Sequence, residues 1–324
     1  MGWYSAVGRR GFFVLPPETA HRVAGLMLSL PLPWDRIGGA SSDPSLAVTL
    51  AGIALRNPVG LAAGFDKTGA HVRALGALGF GYVVAGTFTQ EPRRGNAYPR
   101  IARFPRQRSM VNAMGLPNPG AEIAASTLAN RPRPAPVFVS IADQSRDAAL
   151  ATLELLSPHA EAIELNASCP NVEWGRDRDD ETHLAELVTA MVAHTDRPLF
   201  VKLPPFMTDA AREGVLALAR VAQDSGAAGI TCSNTHPVAT DRVAAGKGGL
   251  SGRALWAHTP KIVAAIVEAT GGAFPVNACG GIFTPEDARE CLDAGATTVQ
   301  IYTSFIYEGP GIVGTLTRGL RAPD

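Results

Sequence analysis

The chain has 324 residues, 46% hydrophobic and 18% charged, which supplies apolar side chains for a large core and excludes a disordered or fibrous chain. Lys plus Arg and Asp plus Glu number 29 each, so the zero net charge offers no concentrated basic surface for nucleic acid. The cysteines are Cys169, Cys232, Cys279 and Cys291, with no CxxC pair; they exclude a disulfide framework and read as reduced thiols of a cytoplasmic protein.

Near the start, Arg9-Arg10 precedes the apolar Gly11-Phe12-Phe13-Val14-Leu15, superficially an export signal. Pro16-Pro17 stops that run well short of a signal core. No run approaches the roughly 20 apolar residues of a spanning helix, so the protein is expected to be soluble or at most to lie on a membrane surface. Pro17-Glu18 suits a helix start. Val23, Leu26, Met27 and Leu30 follow at helical spacing until Pro31-Leu32-Pro33. Such a helix either packs on the domain or forms an exposed apolar cover. Gly38 to Ser42 reads as a linker, which makes residues 1–45 an N-terminal helical extension and 46–324 the catalytic domain.

Residues 46–55 pattern as a small hairpin. Eight short apolar segments follow, at 59–64, 82–88, 137–142, 162–168, 199–203, 229–234, 276–281 and 298–303. Helix-like stretches separate most of them, among them Asp209–Asp224, Thr259–Thr270 and Pro285–Asp293. Strands alternating with helices imply a parallel sheet, and eight repeats favour closure into a (β/α)₈ TIM barrel. No GxGxxG follows the first strand, and GxxxxGK, GxSxG and HExxH are absent, so the rival nucleotide-binding, hydrolase and zinc-protease readings lack support. Residues 89–120 and 170–182, rich in Pro, Gly, Arg and Asn, are expected to cover the catalytic mouth.

Nearly every strand ends in polar or glycine residues: Lys67, Thr87, Asn166 and Ser168, Lys202, Ser233-Asn234-Thr235, Gly280-Gly281 and Tyr302-Thr303. In a barrel these ends meet on one face, where the active site sits. Backbone N–H groups of Gly280-Gly281 and Tyr302-Thr303 suit a phosphate, with Gly248 to Gly252 wrapping the same ligand, although each glycine pair alone is also an ordinary turn. Asn166 and Asn171 carry amides suited to a ring of alternating N–H and C=O groups. Cys169 between them has a thiol whose ordinary pKa of about 8.5 suits a general base. The other three cysteines read as small buried hydrophobes.

Several segments together resemble the dihydroorotate dehydrogenase family. They are Asn57-Pro58-Val59-Gly60-Leu61-Ala62-Ala63-Gly64-Phe65-Asp66-Lys67, Gly95-Asn96 with Pro99-Arg100, Asn112-Ala113-Met114-Gly115, Asn166 to Asn171, Ser233-Asn234-Thr235, Gly248 to Gly252, and Val299 to Thr303. The resemblance runs from about residue 10 to 320 in the family's order. It implies an FMN cofactor and oxidation of dihydroorotate to orotate in pyrimidine biosynthesis. By motif position, Ala63, Gly64, Thr87, Ser140, Asn166, Lys202, Ser233, Gly252, Gly280, Gly281, Tyr302 and Thr303 would hold FMN. Lys67, Asn112, Met114, Gly115, Asn166, Asn171, Asn234 and Thr235 would hold the substrate, and Cys169 would be the base.

The extension, Phe65-Asp66-Lys67 and Tyr302 to Gly309 resemble the membrane-associated, quinone-linked class, with Arg103 and Tyr302 matching positions of its quinone tunnel. Cysteine at the base position resembles the soluble class, which uses fumarate or NAD. Ser140, Ala113, Pro117 and His236 also stand where the family carries other residues. The leading expectation is therefore a quinone-linked enzyme with a cysteine base and peripheral contact with the inner face of the cell membrane. The alternatives are another acceptor, another dihydropyrimidine-like substrate, or a barrel that keeps FMN only as a structural or sensing ligand.

Overall fold

The computed structural model describes Tyr4 and residues 8–40, 43–142, 145–167 and 180–321. Three helices come first, α1 (Arg9–Val14), α2 (Pro17–Leu28) and α3 (Trp34–Gly38). Pro17 and Glu18 occupy the first turn of α2 as expected. Ala20 and Leu28 are the buried residues of that helix, while Leu26 and Met27, with Leu30 just beyond it, are exposed. Leu26, Met27 and Leu30 thus mark an outward face, while Ala20 and Leu28 pack the helix against the domain.

The extension is nonetheless anchored. Arg100 holds Glu18 of α2 through its Nε, 3.1 and 3.0 Å from the two carboxylate oxygens. The Arg103 guanidinium caps the C-terminus of α1 by donating to the carbonyls of Phe12 and Leu15 and lies over the Phe13 ring.

The hairpin expected over 46–55 forms as β1 (Val48–Leu50) and β2 (Ile53–Leu55), paired antiparallel. The eight expected barrel strands are all present. With two pairs between them, they are β3 (Val59–Asp66), β4 (Tyr82–Phe88), β5 (Ile101–Phe104), β6 (Ser109–Asn112), β7 (Val137–Ile141), β8 (Ala162–Asn166), β9 (Leu199–Leu203), β10 (Gly229–Cys232), β11 (His236–Ala239), β12 (Lys247–Gly252), β13 (Val276–Cys279) and β14 (Thr298–Ile301). The parallel strands β3, β4, β7, β8, β9, β10, β13 and β14 form a closed barrel, with Val299 of β14 opposite Val59 of β3 at the closure. Helices Asp209–Asp224, Thr259–Ala269 and Pro285–Asp293 match their sequence patterns. Thr208 caps the first, and a Thr284–Asp287 capping box starts the third.

One end of the barrel is plugged by apolar side chains. Tyr82, Phe138 and Phe200 stack with centroids 4.5 and 5.7 Å apart, and Leu50 and Leu55 of the hairpin pack beneath them. The opposite end carries a second sheet that the sequence reading missed. β5, β6, β12 and β11 form four antiparallel strands, with Leu250 opposite Val111. Residues 101–104 and 109–112 are therefore paired strands, and with Ile101, Met110 and Asn112 on the cavity wall the segment covers the mouth as expected. Gly248 to Gly252, expected as a wrapping turn, is part of β12, and only Gly252 among them has a positive φ.

Candidate active site

The turn after β3 builds the first part of the site. Asp66 is buried and accepts from the N–H groups of Thr68 and His71, at 3.2 and 2.8 Å, which folds the chain back and fixes Lys67 beside it. The Lys67 ammonium donates to the carbonyl of Gly64, whose φ of 97° bends the strand. Burial, reinforced by the nearby Arg100 cation, pushes the Lys67 pKa down to about 8, with Asp66 and Glu18 acting the other way. His21 of α2 packs edge-on to Phe65, and burial followed by Lys67 and His71 lowers its pKa to about 3, so it is neutral.

A cavity of about 390 Å³ opens where the barrel strand ends meet the second sheet. Its wall brings together Ala63, Gly64, Thr87, Asn166, Lys202, Ser233, Gly252, Gly280, Gly281, Tyr302 and Thr303 of the expected cofactor set. It also brings together Lys67, Asn112, Met114, Gly115, Asn166, Asn234 and Thr235 of the expected substrate set. Ser140 is not on that wall. It is fully buried, and its hydroxyl shares a 2.9 Å hydrogen bond with Thr87 from behind. Ser168, Cys169 and Asn171 lie outside the described residues.

Two of the amides are linked to each other, and the third is tied to β12. Asn166 Nδ2 donates to Thr87 Oγ1 at 3.3 Å, Asn234 Nδ2 donates to Asn166 Oδ1 at 3.1 Å, and Asn112 Nδ2 donates to the Gly249 carbonyl at 3.4 Å. Tyr302, its pKa raised to about 12 by burial, donates to the Gly64 carbonyl and packs edge-on to Phe65. Arg103 points its donors at α1 and is not on the cavity wall, whereas Tyr302 is.

Beneath the wall lies a polar layer that the sequence reading passed over. Glu164, 1% exposed, faces Lys202 at 3.6 Å and accepts from Thr231 Oγ1 at 2.9 Å and Gln300 Nε2 at 3.3 Å. The layer continues through Asn277 and Thr298 to Tyr82 on the far side of the barrel. A carboxylate, an amide or a hydroxyl inside an apolar run, as in Ile163-Glu164-Leu165 or Val299-Gln300-Ile301, was the available signal. Cys279, read as a plain core residue, lines the cavity; Cys232 and Cys291 are buried as expected.

A sequence profile of the dihydroorotate dehydrogenase family matches residues 45–323. The chain belongs to the dihydroorotate dehydrogenase family. A Chloroflexus aurantiacus relative named dihydroorotate dehydrogenase (quinone) is 40% identical over 302 residues, spanning 86% of this chain and 82% of the relative. One of the same name from Leifsonia xyli is 39% identical over 331 residues, spanning 94% of this chain and 95% of its own. The crystal structure of the Eimeria tenella enzyme in complex with ferulenol superposes with a TM-score of 0.83 at 30% identity, covering 94% of this chain and 90% of that one. The Leifsonia match leaves roughly 6% of the chain unmatched, far fewer than 45 residues, so it extends into the N-terminal extension that precedes the family profile. Among the described residues of this dihydroorotate dehydrogenase family member, no helix is long and apolar enough to cross a membrane.

Proposed function

We propose that this protein oxidises (S)-dihydroorotate to orotate in pyrimidine biosynthesis, using FMN and passing the electrons to a quinone. The observation that carries the reading is the single cavity-wall set at the barrel mouth, found in a chain that matches quinone-type relatives nearly end to end. The wall fits FMN. Gln300 Oε1 and Ser304 Oγ are buried on it without a hydrogen-bond partner among the described residues, as expected of atoms that await a polar ligand. Gly280 and Gly281 line the cavity, both at positive φ, in a turn whose backbone N–H groups suit a phosphate.

FMN would be held by Ala63, Gly64, Thr87, Asn166, Lys202, Ser233 and Gly252 together with Gly280, Gly281, Tyr302 and Thr303; Ser140 would support it through Thr87. When bound, it would supply the acceptor for the hydride, and with it both electrons, taken from the substrate ring. Lys67 would meet the substrate carboxylate. Asn112, Asn166, Asn234, Thr235 and, outside the described residues, Asn171 would read the ring's N–H and C=O groups, with Met114 and Gly115 closing its edge. Cys169, as thiolate, would remove the proton from ring carbon five.

Residues 1–45 are read as a cover on the acceptor side, and their exposure supports peripheral membrane contact on the cytoplasmic face. Val14 is 85% exposed, Leu26 71% and Leu30 52%, three apolar side chains of this segment turned to solvent. Removing residues 10–40 is expected to abolish quinone reduction while leaving flavin reduction by dihydroorotate intact. Quinone reduction that survives the deletion, or turnover with fumarate or NAD in place of quinones, would overturn the acceptor assignment.

A further inference from the structure

The buried Glu164–Lys202 pair is a cost that the barrel core does not need. A carboxylate removed from water is expensive unless it is paired and hydrogen-bonded, and an apolar pair of similar volume commonly packs as well or better. Here Oε2 of Glu164 is held by two neutral donors from different strands, Thr231 of β10 and Gln300 of β14. Oε1 has no hydrogen bond and faces Lys202 of β9 at 3.6 Å, its only cation within 4 Å among the described residues. Lys202 is 5% exposed and lines the cavity, so the pair runs from the polar layer up to the ligand wall.

We propose that Glu164 is a positioning residue for cofactor chemistry, keeping the Lys202 ammonium charged and aimed at the cofactor across its oxidised and reduced forms. This rests on the FMN reading above. The titratable groups facing the pair are few. Cys279 of β13 lies beside Lys202, and Tyr82 of β4 faces Glu164 from the far end of the layer. Burial alone would push Lys202 down, but Glu164, with Cys279, outweighs it and holds the ammonium above its ordinary value. Without Glu164 the main raising partner is lost, burial outweighs what Cys279 supplies, and the Lys202 pKa falls. The pair therefore makes the preference for electron-rich FMN independent of pH over a range where a solitary buried lysine would not.

The test compares wild type with Glu164→Gln, which keeps the size of the side chain and its acceptor for Thr231. The bound midpoint potential, referenced to free FMN, gives the ratio of affinities for reduced and oxidised FMN from pH 6 to 10. Dividing the variant's ratio by that of wild type cancels the flavin's own ionisations. The quotient is expected to fall at least tenfold with rising pH, about 30 mV for a two-electron couple, as Lys202 loses its proton. It should be flat in the double variant Glu164→Gln/Lys202→Met. A flat quotient in Glu164→Gln with FMN bound, or a break that persists in the double variant, overturns the proposal. If only the double variant folds, the pairing is supported; if neither folds, Glu164 belongs to the fold and the proposal fails. A wild-type protein that binds no FMN would refute the cofactor reading itself, a result distinct from all of these.

Discussion

Lys67 offers a test of the substrate site that is independent of turnover. Its ammonium would meet the carboxylate of dihydroorotate and of orotate, and orotate binding avoids any contribution from the catalytic base. Lys67 is half-buried, so truncation to Met strips one partner from a largely desolvated charge pair, a loss of about 3 kcal/mol or roughly 150-fold in affinity. The pH dependence follows from its pKa, lowered to about 8 first by burial and then by Arg100. Below that value the ammonium is present and orotate binds fully. Above it the neutral amine dominates, and affinity falls about tenfold per pH unit. Titration of the flavin absorbance with orotate from pH 6 to 10 reads both effects. Wild type should weaken above about pH 8, and Lys67→Met should be weak and flat. Wild-type affinity unchanged up to pH 10, or Lys67→Met within threefold of wild type, would refute the assignment.

Three further outcomes are expected. Glu18→Gln leaves Arg100 without its buried carboxylate, whose side chains are 7% and 17% exposed, and should cost about 3 kcal/mol in a double-mutant cycle with Arg100→Gln. His21 has a folded pKa of about 3, below its unfolded value, so the unfolded chain takes the proton first. Stability is full above about pH 6.5 and falls below it, by about 2 kcal/mol at pH 5, and His21→Phe should remove that part of the acid sensitivity in denaturant titrations. In Gly249→Ala the new Cβ would sit 1.9 Å from Thr235 Oγ1, so Thr235 must shift; orotate affinity is expected to fall at least about tenfold, while the melting temperature changes by only a few degrees.

The barrel was legible because each of its strands is short and almost wholly buried, with polar residues at or just past several strand ends, as Asn166 ends β8 and Thr303 follows β14. The four-stranded sheet at the mouth was not. Its strands are four to six residues long, and β6 and β12 pair residues more than 130 positions apart, such as Val111 with Leu250. Local pattern carries no record of such a partner. The Glu164 layer left a local trace, polar residues inside apolar runs, but no record of its partners, since Gln300 donates to Glu164 from 136 positions away. Ser140 shows the converse. Motif position put it among the cofactor residues, but it is fully buried off the cavity wall and bonds Thr87, which lines it. Periodicity identified the helix Pro17–Leu28, yet only the packing shows that Leu26 faces outward.

The most direct test of the central claim is anaerobic addition of dihydroorotate to the purified yellow protein while its flavin absorbance is followed. Rapid bleaching, restored by a quinone, is the predicted result. A flavin that stays oxidised in the presence of dihydroorotate would contradict the assigned substrate.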